Sequence, residues 1–440
     1  MKKTRKLTAL LAALCLLVTL WVPLTVTAET PRPVTAPAAQ ATATDPMLAT
    51  AELLGAMPNG AALRYFYLNI MECIMAGDWS VDLPFGTYSI TEEEATWVEA
   101  AVNASVPEGY GADVGHSYGF VLWEKDGICF YSSFYDWGLT EEMEQATNAA
   151  VKQMTRDLDG KSDFEKSVIL YERLIDRNHY DFSGNYHQTA YGALIEEKSV
   201  CAGYARAYQL LLQEVGIPCL YIFGEAYNGY QTGGHAWNLV LLDGKWYYSD
   251  PTWDDSDNAD LPLSYLYFNI TYAEISTDHY ADYTCEPWLP TEPAIDANYY
   301  VHEGTLCNNP TVELLTELFR RQNPVILYVT EDRDAVANFF FQYAYEILAQ
   351  LGWTDVDFVT YSTAGNCGLL LSFSRSATPG DVNGDGDVNN RDLALLQQYI
   401  NGWEVTIDVT VADVNDDGDV NNRDLALLQQ YINGWDVILK

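Results

Sequence analysis

The sequence predicts an α+β protein. Its core sets a cysteine-bearing helix against an antiparallel sheet, and a small α/β appendage and an all-α C-terminal module follow. Three observations carry this expectation. After Cys201, the residues Tyr204, Ala205, Tyr208, Leu211, Leu212 and Val215 recur at helical spacing, and Gly216 supplies a stop. Two apolar runs, HAWNLVLL opening at His235 and KWYYSD closing at Asp250, flank Asp243-Gly244, a dipeptide that accepts the positive φ of a tight hairpin turn. Near the end, Asp381–Val405 recurs as Asp413–Val437, and the copies differ only at Gly384/Asp416 and Glu404/Asp436.

Residues 1–28 read as an export signal. Lys2, Lys3, Arg5 and Lys6 precede the apolar stretch Leu7–Leu24, and Val26-Thr27-Ala28 fits a small-residue cleavage site. Residues 29–45 are rich in Pro, Ala and Thr, cannot bury a core and read as a linker. Residues 46–160 open with helical patterns over Met47–Met75 and Glu92–Asn103, followed by a hairpin placed around Asp126-Gly127. Aromatic residues such as Tyr67, Trp123 and Tyr131 crowd this part and read first as core, while exposed Trp and Tyr rings could stack on sugar or peptide. Residues 161–298 hold the Cys201 helix and the His235–Asp250 hairpin. Residues 299–376 read strand–helix–strand–helix–strand, with NPVILYVT and VDFVTYS as buried strands and no recognisable chemistry. The repeat fills residues 380–440. Beyond the leader, no segment reaches the roughly 20 apolar residues of a membrane span.

Cys201, His235 and Asp250 together suit thiol chemistry. At a helix N-terminus, unpaired N–H groups and the dipole favour thiolate over thiol. With a two-residue turn at Asp243-Gly244, Leu242 faces Lys245 and, counting outward, Trp237 faces Asp250. His235 then shares the face of Trp237 and lies diagonal to Asp250, about 7–8 Å between backbones. At that reach a carboxylate can fix an imidazole tautomer while the other ring nitrogen addresses a thiol. A loop of odd length would put the two on opposite faces.

The blocks HQTAYGALIEEKSVCAGYARAYQLLL and GGHAWNLVLLDGKWYYSDPTWDD resemble bacterial members of the transglutaminase-like, papain-related superfamily, most tightly over Gln188–Asp255. The resemblance implies a papain/transglutaminase-like core with Cys201 as nucleophile, His235 as base and Asp250 as orienting carboxylate. It also implies an oxyanion donor near Gln188 or Tyr191 without assigning it, and the main-chain N–H of Cys201 is the safer candidate. The expected reaction is acyl transfer at a peptide or protein amide. Water as acceptor gives a cysteine peptidase or amidase, the favoured reading, and a lysine amine gives a crosslinking transamidase. From a different class, the alternative is a non-catalytic module whose aromatic cleft holds peptide or glycan.

Each repeat copy sets oxygen side chains at the spacing of a calcium loop. The first offers Asp381, Asn383, Asp385, Asp387, Asn389 and Asp392 with Gly386 at the sharp turn, and the second offers Asp413, Asn415, Asp417, Asp419, Asn421 and Asp424 with Gly418. A helix is expected after each loop, over Leu393–Asn401 and Leu425–Asn433, with none before it. The duplicated loop–helix unit resembles a type I dockerin, which docks secreted enzymes onto the cohesin modules of a cellulosome scaffold. The resemblance implies two calcium ions and places cohesin selection at Asn390-Arg391 and Asn422-Arg423. Near-identity of the copies implies two equivalent docking faces. It also places the protein outside the cell, in a plant polysaccharide-degrading system, without making its own reaction glycosidic.

Composition narrows the field. Sixty-two acidic against 23 basic residues leave a formal charge of −39, which excludes nucleic-acid binding by counterion release. No paired-carboxylate pattern of a glycoside hydrolase stands out, and the six histidines are scattered with no zinc-type cluster. No cofactor is expected for catalysis and no membrane partner after signal cleavage. Export removes Cys15 and leaves an odd set of seven cysteines, so at least one thiol stays unpaired, and Cys201 is the one the triad nominates.

Overall fold

The computed structural model describes residues 45–440 apart from 79, 109–115, 136–137, 256–262, 293–294, 354–355, 365–366, 376–377, 385–386, 404, 406 and 436. The expected leader, the linker up to residue 44, and the loop residues Asp385 and Gly386 lie outside the described residues.

The pattern over Met47–Met75 folds as two helices, Pro46–Gly55 and Gly60–Met75. Asn59 takes φ 61° between them, and a Cβ on Gly60 would collide with the Gly55 carbonyl, so only glycine lets the second helix start there. These two helices and a third, Glu92–Ser105, adjoin an antiparallel sheet ordered Ser80–Pro84, Gly127–Tyr135, His116–Glu124. Its hairpin turns one residue earlier than expected, because Glu124 pairs with Gly127 and leaves Lys125-Asp126 as the turn. A Cβ at Gly127 would lie 2.8 Å from the Leu83 carbonyl oxygen, so the glycine serves the close approach of a neighbouring strand rather than the turn.

A four-stranded antiparallel sheet follows, ordered Lys245–Ser249, Thr232–Leu242, Cys219–Tyr227, His279–Ala281. Its strand Thr232–Leu242 is covered on both faces. Trp237 and Leu239 join Leu63, Phe66 and Val98 in one apolar cluster, while Val240 and Leu242 join Tyr204, Tyr208 and Leu211 in another. Burial on both sides explains why the strand reads as a continuous apolar run, at roughly 1.5–3 kcal/mol for each large side chain removed from water. The second cluster takes in the helices Cys201–Glu214, Asp163–Arg177 and Glu141–Thr155. The boundary expected at residue 160 therefore separates helices that share one core.

In the appendage the order differs from the strand-first reading. The short helix Tyr299–His302 and the helix Val312–Arg321 come first, then the strand Val325–Tyr328, the helix Arg333–Leu351, and the strands Val356–Ala364 and Gly368–Arg375. The last two form a hairpin, and the sheet is antiparallel throughout. Leu306 makes only an isolated bridge to Tyr328, because Asn308 turns its side chain onto the Thr330 N–H at 2.9 Å instead of extending the pairing.

The repeat helices span Asn390–Ile400 and Asn422–Ile432, starting three residues before the apolar pattern does. Asn389 and Asn421 cap them, and Asp392 and Asp424 reach back to complete capping boxes, so the caps rather than the leucines set the start. A one-turn helix, Val409–Ala412, precedes the second loop, where none was expected. No helix among the described residues is long and apolar enough to cross a membrane.

Candidate functional site

Cys201 is the first residue of its helix, and Val200 before it supplies no side-chain cap. The helices beginning at Glu92, Glu141 and Asp163 are closed by Thr or Ser capping boxes. At Cys201 no side chain closes the first turn, and its Gly203 N–H bonds back to the Val200 carbonyl at 2.8 Å. The preceding segment is pinned by the Val200 N–H donating to the His187 carbonyl at 2.8 Å. A Cβ on Gly203 would lie 2.8 Å from the same oxygen, so glycine lets the helix start pack tightly there.

The hairpin holds the register from Leu242 against Lys245 out to Asn238 against Ser249, with Asp243 and Gly244 at φ 49° and 78°. Asp250 follows the last pair, and its Oδ2 lies 2.7 Å from His235 Nε2. That leaves Nδ1 turned away from Asp250, and Cys201 lies near enough to the ring to help raise its proton affinity. Three groups distant in sequence thus converge as Cys201–His235–Asp250. Asp250 is fully buried, its Oδ1 accepts the Thr252 N–H at 2.9 Å, and its main-chain carbonyl accepts the Tyr171 hydroxyl at 2.9 Å.

Burial alone would lower the proton affinity of His235. The Asp250 charge and hydrogen bond, with Cys201, outweigh it and push His235 up to about 10. For Asp250 burial works upward, and the two histidines that face it win, holding it below the usual carboxylate range. Nearby Asp254, buried beneath Tyr171, is pushed up to about 7 by desolvation.

The second of those histidines is His279, which the sequence reading missed. Its Nε2 lies 3.0 Å from the same Asp250 oxygen and its Nδ1 lies 2.6 Å from Asp278 Oδ1. Its strand carries no motif, and only pairing with Cys219–Tyr227 brings it in. His235, Asp250 and His279 hold donor atoms within 4.8 Å of one another, and the 2.7 and 3.0 Å contacts engage those atoms with each other as hydrogen bonds.

A cleft of about 410 Å³ opens beside His235, bounded by Tyr180, Trp253, Thr252 and Gly233-Gly234, a size suited to a ligand site. A Cβ at either glycine would meet open space, so the pair leaves the mouth clear. The aromatic wall comes from Tyr180 and Trp253, not from the N-terminal aromatics: Tyr67 is core, Trp123 packs on Phe85 with its indole N–H on the Ile90 carbonyl, and Tyr131 faces outward on the first sheet. Gln188 stands exposed in a turn, its main-chain carbonyl accepting from Arg206, and Tyr191 packs edge-on to Tyr186. Among the described residues neither side chain is hydrogen-bonded to the triad. All seven cysteines described are free thiols. Burial pushes Cys73, Cys307 and Cys367 up to about 11 and Cys285 up to about 12.

In the repeat, Asp392 and Asp424 are fully buried carboxylates that fold back over their own loops. Asp392 accepts the N–H of Asn383 at 3.0 Å and of Asn389 at 2.8 Å, and Asp424 accepts that of Asn421 at 2.9 Å and the Asn415 side chain. Asp413 accepts from Asp417 and Gly418 at 3.1 and 2.8 Å. The donors are oxygens alone, gathered on tight loops, the chemistry that suits a hard cation such as calcium. Asn390, Arg391, Asn422 and Arg423 are exposed on the first turns of the two helices, with Arg423 3.3 Å from Asp417.

Residues 149–251 match the family model of the transglutaminase-like superfamily, and residues 379–433 match that of the dockerin type I domain. The chain carries a transglutaminase-like domain and a type I dockerin. The transglutaminase-like domain brings mixed helix and sheet, with the Cys201 helix against the sheet that bears His235. Proteins of Mus musculus and Homo sapiens named kyphoscoliosis peptidase are 32% identical to this chain over 100 residues. That match covers 20% of this chain and 15% of theirs. A crystal structure of a TGase aligns at 13% identity over 42% of this chain and 53% of its own, with a TM-score of 0.24.

Proposed function

We propose that this chain is a secreted thiol enzyme that hydrolyses peptide or protein amides and is held on a scaffold cohesin by its dockerin. The observation that carries the reading is His235 held by Asp250 at 2.7 Å, with Cys201 near the ring at the start of a helix that has no side-chain cap. The Cys201 sulfur attacks the carbonyl carbon, and the developing oxyanion meets the open N–H of Cys201, with Gln188 and Tyr191 as further candidates. His235 gives its proton to the departing amine, leaving a thioester. Water then adds with its proton passing to His235, and acid and thiol are released. Similarity to proteins named peptidases favours water over a lysine amine as acceptor. In the dockerin, Asp381, Asn383, Asp387, Asn389 and Asp392 hold one calcium ion with Asp385, and Asp413, Asn415, Asp417, Asp419, Asn421 and Asp424 hold the other. Bound calcium offsets the repulsion of the carboxylates that each loop gathers.

The test is mass spectrometry after brief iodoacetamide treatment at about pH 6, where an ordinary thiol is unreactive. Fast labelling at one site, lost in Cys201→Ala, is expected, followed by cleavage in a peptide library. Labelling equally slow in both proteins would leave a docked binding protein with no enzyme.

A further inference from the structure

We propose that His279 is a positioning residue of the triad: a buried imidazolium clamped between Asp250 and Asp278 that fixes Asp250 against His235. The proposal rests on the acyl-transfer reading above.

Both ring nitrogens of His279 face carboxylate oxygens, Nε2 at 3.0 Å from Asp250 and Nδ1 at 2.6 Å from Asp278. An ionised carboxylate only accepts, so both nitrogens must carry a proton, and only the cationic ring has two. The second oxygen of Asp278 is likewise an acceptor, taking the Tyr267 hydroxyl at 2.8 Å. The side chain of His279 is fully buried, and an aromatic box replaces water around it. Ring centroids of Trp253, Trp237 and Tyr267 lie 4.4, 5.1 and 5.6 Å away, a surrounding that favours a cation. Burial works against the charge, and the two carboxylates outweigh it, raising the proton affinity of His279.

The charged groups facing this ring are Asp250 beyond the hairpin, Asp278 ahead of its own strand, and His235 two strands away across Cys219–Tyr227, 5.1 Å between ring centroids. Asp254 stands behind, with its carboxyl accepting the Tyr267 N–H at 3.0 Å. Asp250 Oδ2 therefore serves two donors at once. One holds the carboxylate in place, and the other is the catalytic imidazole. The His279 charge also opposes protonation of His235 and favours thiolate at Cys201, so removing it raises the proton affinity of both groups.

The experiment uses the full calcium-loaded chain. Nitrogen-15 imidazole spectra between about pH 6 and 8 should show both His279 nitrogens protonated, the resonances being assigned by their loss in His279→Gln. A neutral ring near pH 7 overturns the proposal. The pH profile of Cys201 alkylation should move alkaline by roughly one unit in His279→Gln and, by less, in the acid direction in Asp278→Asn, which keeps the cationic ring and loses one counter-charge. Should His279→Gln fail to fold, Asp278→Asn decides. An unmoved profile with lowered stability makes His279 structural and overturns the proposal. If wild-type Cys201 reacts no faster than the buried thiols, the acyl-transfer reading falls and the positioning role with it. The nitrogen spectra would then still decide separately whether the buried cation exists.

Discussion

In the dockerin, the oxygen donors of each loop come from one short run, Asp381 to Asp392 and Asp413 to Asp424. In the core, Cys201, His235 and Asp250 come from a helix start, a buried strand and the residue beyond a hairpin. Local spacing suffices for the first arrangement, because a loop that closes on itself needs only its own sequence. The second depends on a register that one residue of slip would destroy. The two regions should therefore fail independently and under different conditions.

The largest separation is expected from Asp250→Ala. Removing this buried carboxylate leaves two imidazoles without their acceptor, so Cys201 alkylation should fall by roughly 10²–10⁴-fold and stability by about 3–5 kcal/mol. Calcium titration of the same variant should be unchanged, and a loss of calcium sites would break the comparison. Chelation is the converse. Stripping calcium should melt the dockerin helices in circular dichroism while alkylation stays within about twofold, since the ions stabilise only the state that binds them. Asp392→Ala and Asp424→Ala should each remove one calcium site, by calorimetry.

A smaller, graded difference is expected with pH. His235 is raised to about 10, so its contribution to stability is complete below the unfolded value near 6.5 and is lost as pH rises through 10. Asp254 and Glu108, each pushed up to about 7 by burial, lose their contribution in the same direction as pH climbs from about 4 to 7. Urea midpoints of the core transition should therefore fall as pH rises from about 4 to 10, while the dockerin transition holds. The smallest effect tests the symmetry of the copies. Arg391→Ala alone should weaken cohesin binding only about twofold, one of two equivalent faces being lost, whereas Arg391→Ala with Arg423→Ala should abolish it. Unequal single variants would show that the faces differ.

Much of this was legible in the chain. The Asp243-Gly244 turn and the alternation around it give the Leu242–Lys245 register from which His235 and Asp250 are brought together, because hairpin pairing is local and its turn residues are distinctive. The Cys201 helix and the repeat are local as well, although the capping boxes that start the repeat helices at Asn390 and Asn422 went unread. His279 was illegible, since it belongs to a short edge strand that acquires meaning only by pairing with residues more than fifty positions earlier. The hairpin before Gly127 was misplaced for a related reason: that glycine answers to Leu83 on another strand, not to its own turn. Sequence alone determined the helix that presents Cys201, the turn that aligns His235 with Asp250, and two loops of hard oxygen donors, all governed by residues near one another in the chain. Only the tertiary structure decided that one buried oxygen of Asp250 faces two histidines, and that Tyr180 and Trp253 flank the cleft. Those contacts depend on how a sheet and its covering helices pack, which no local spacing encodes.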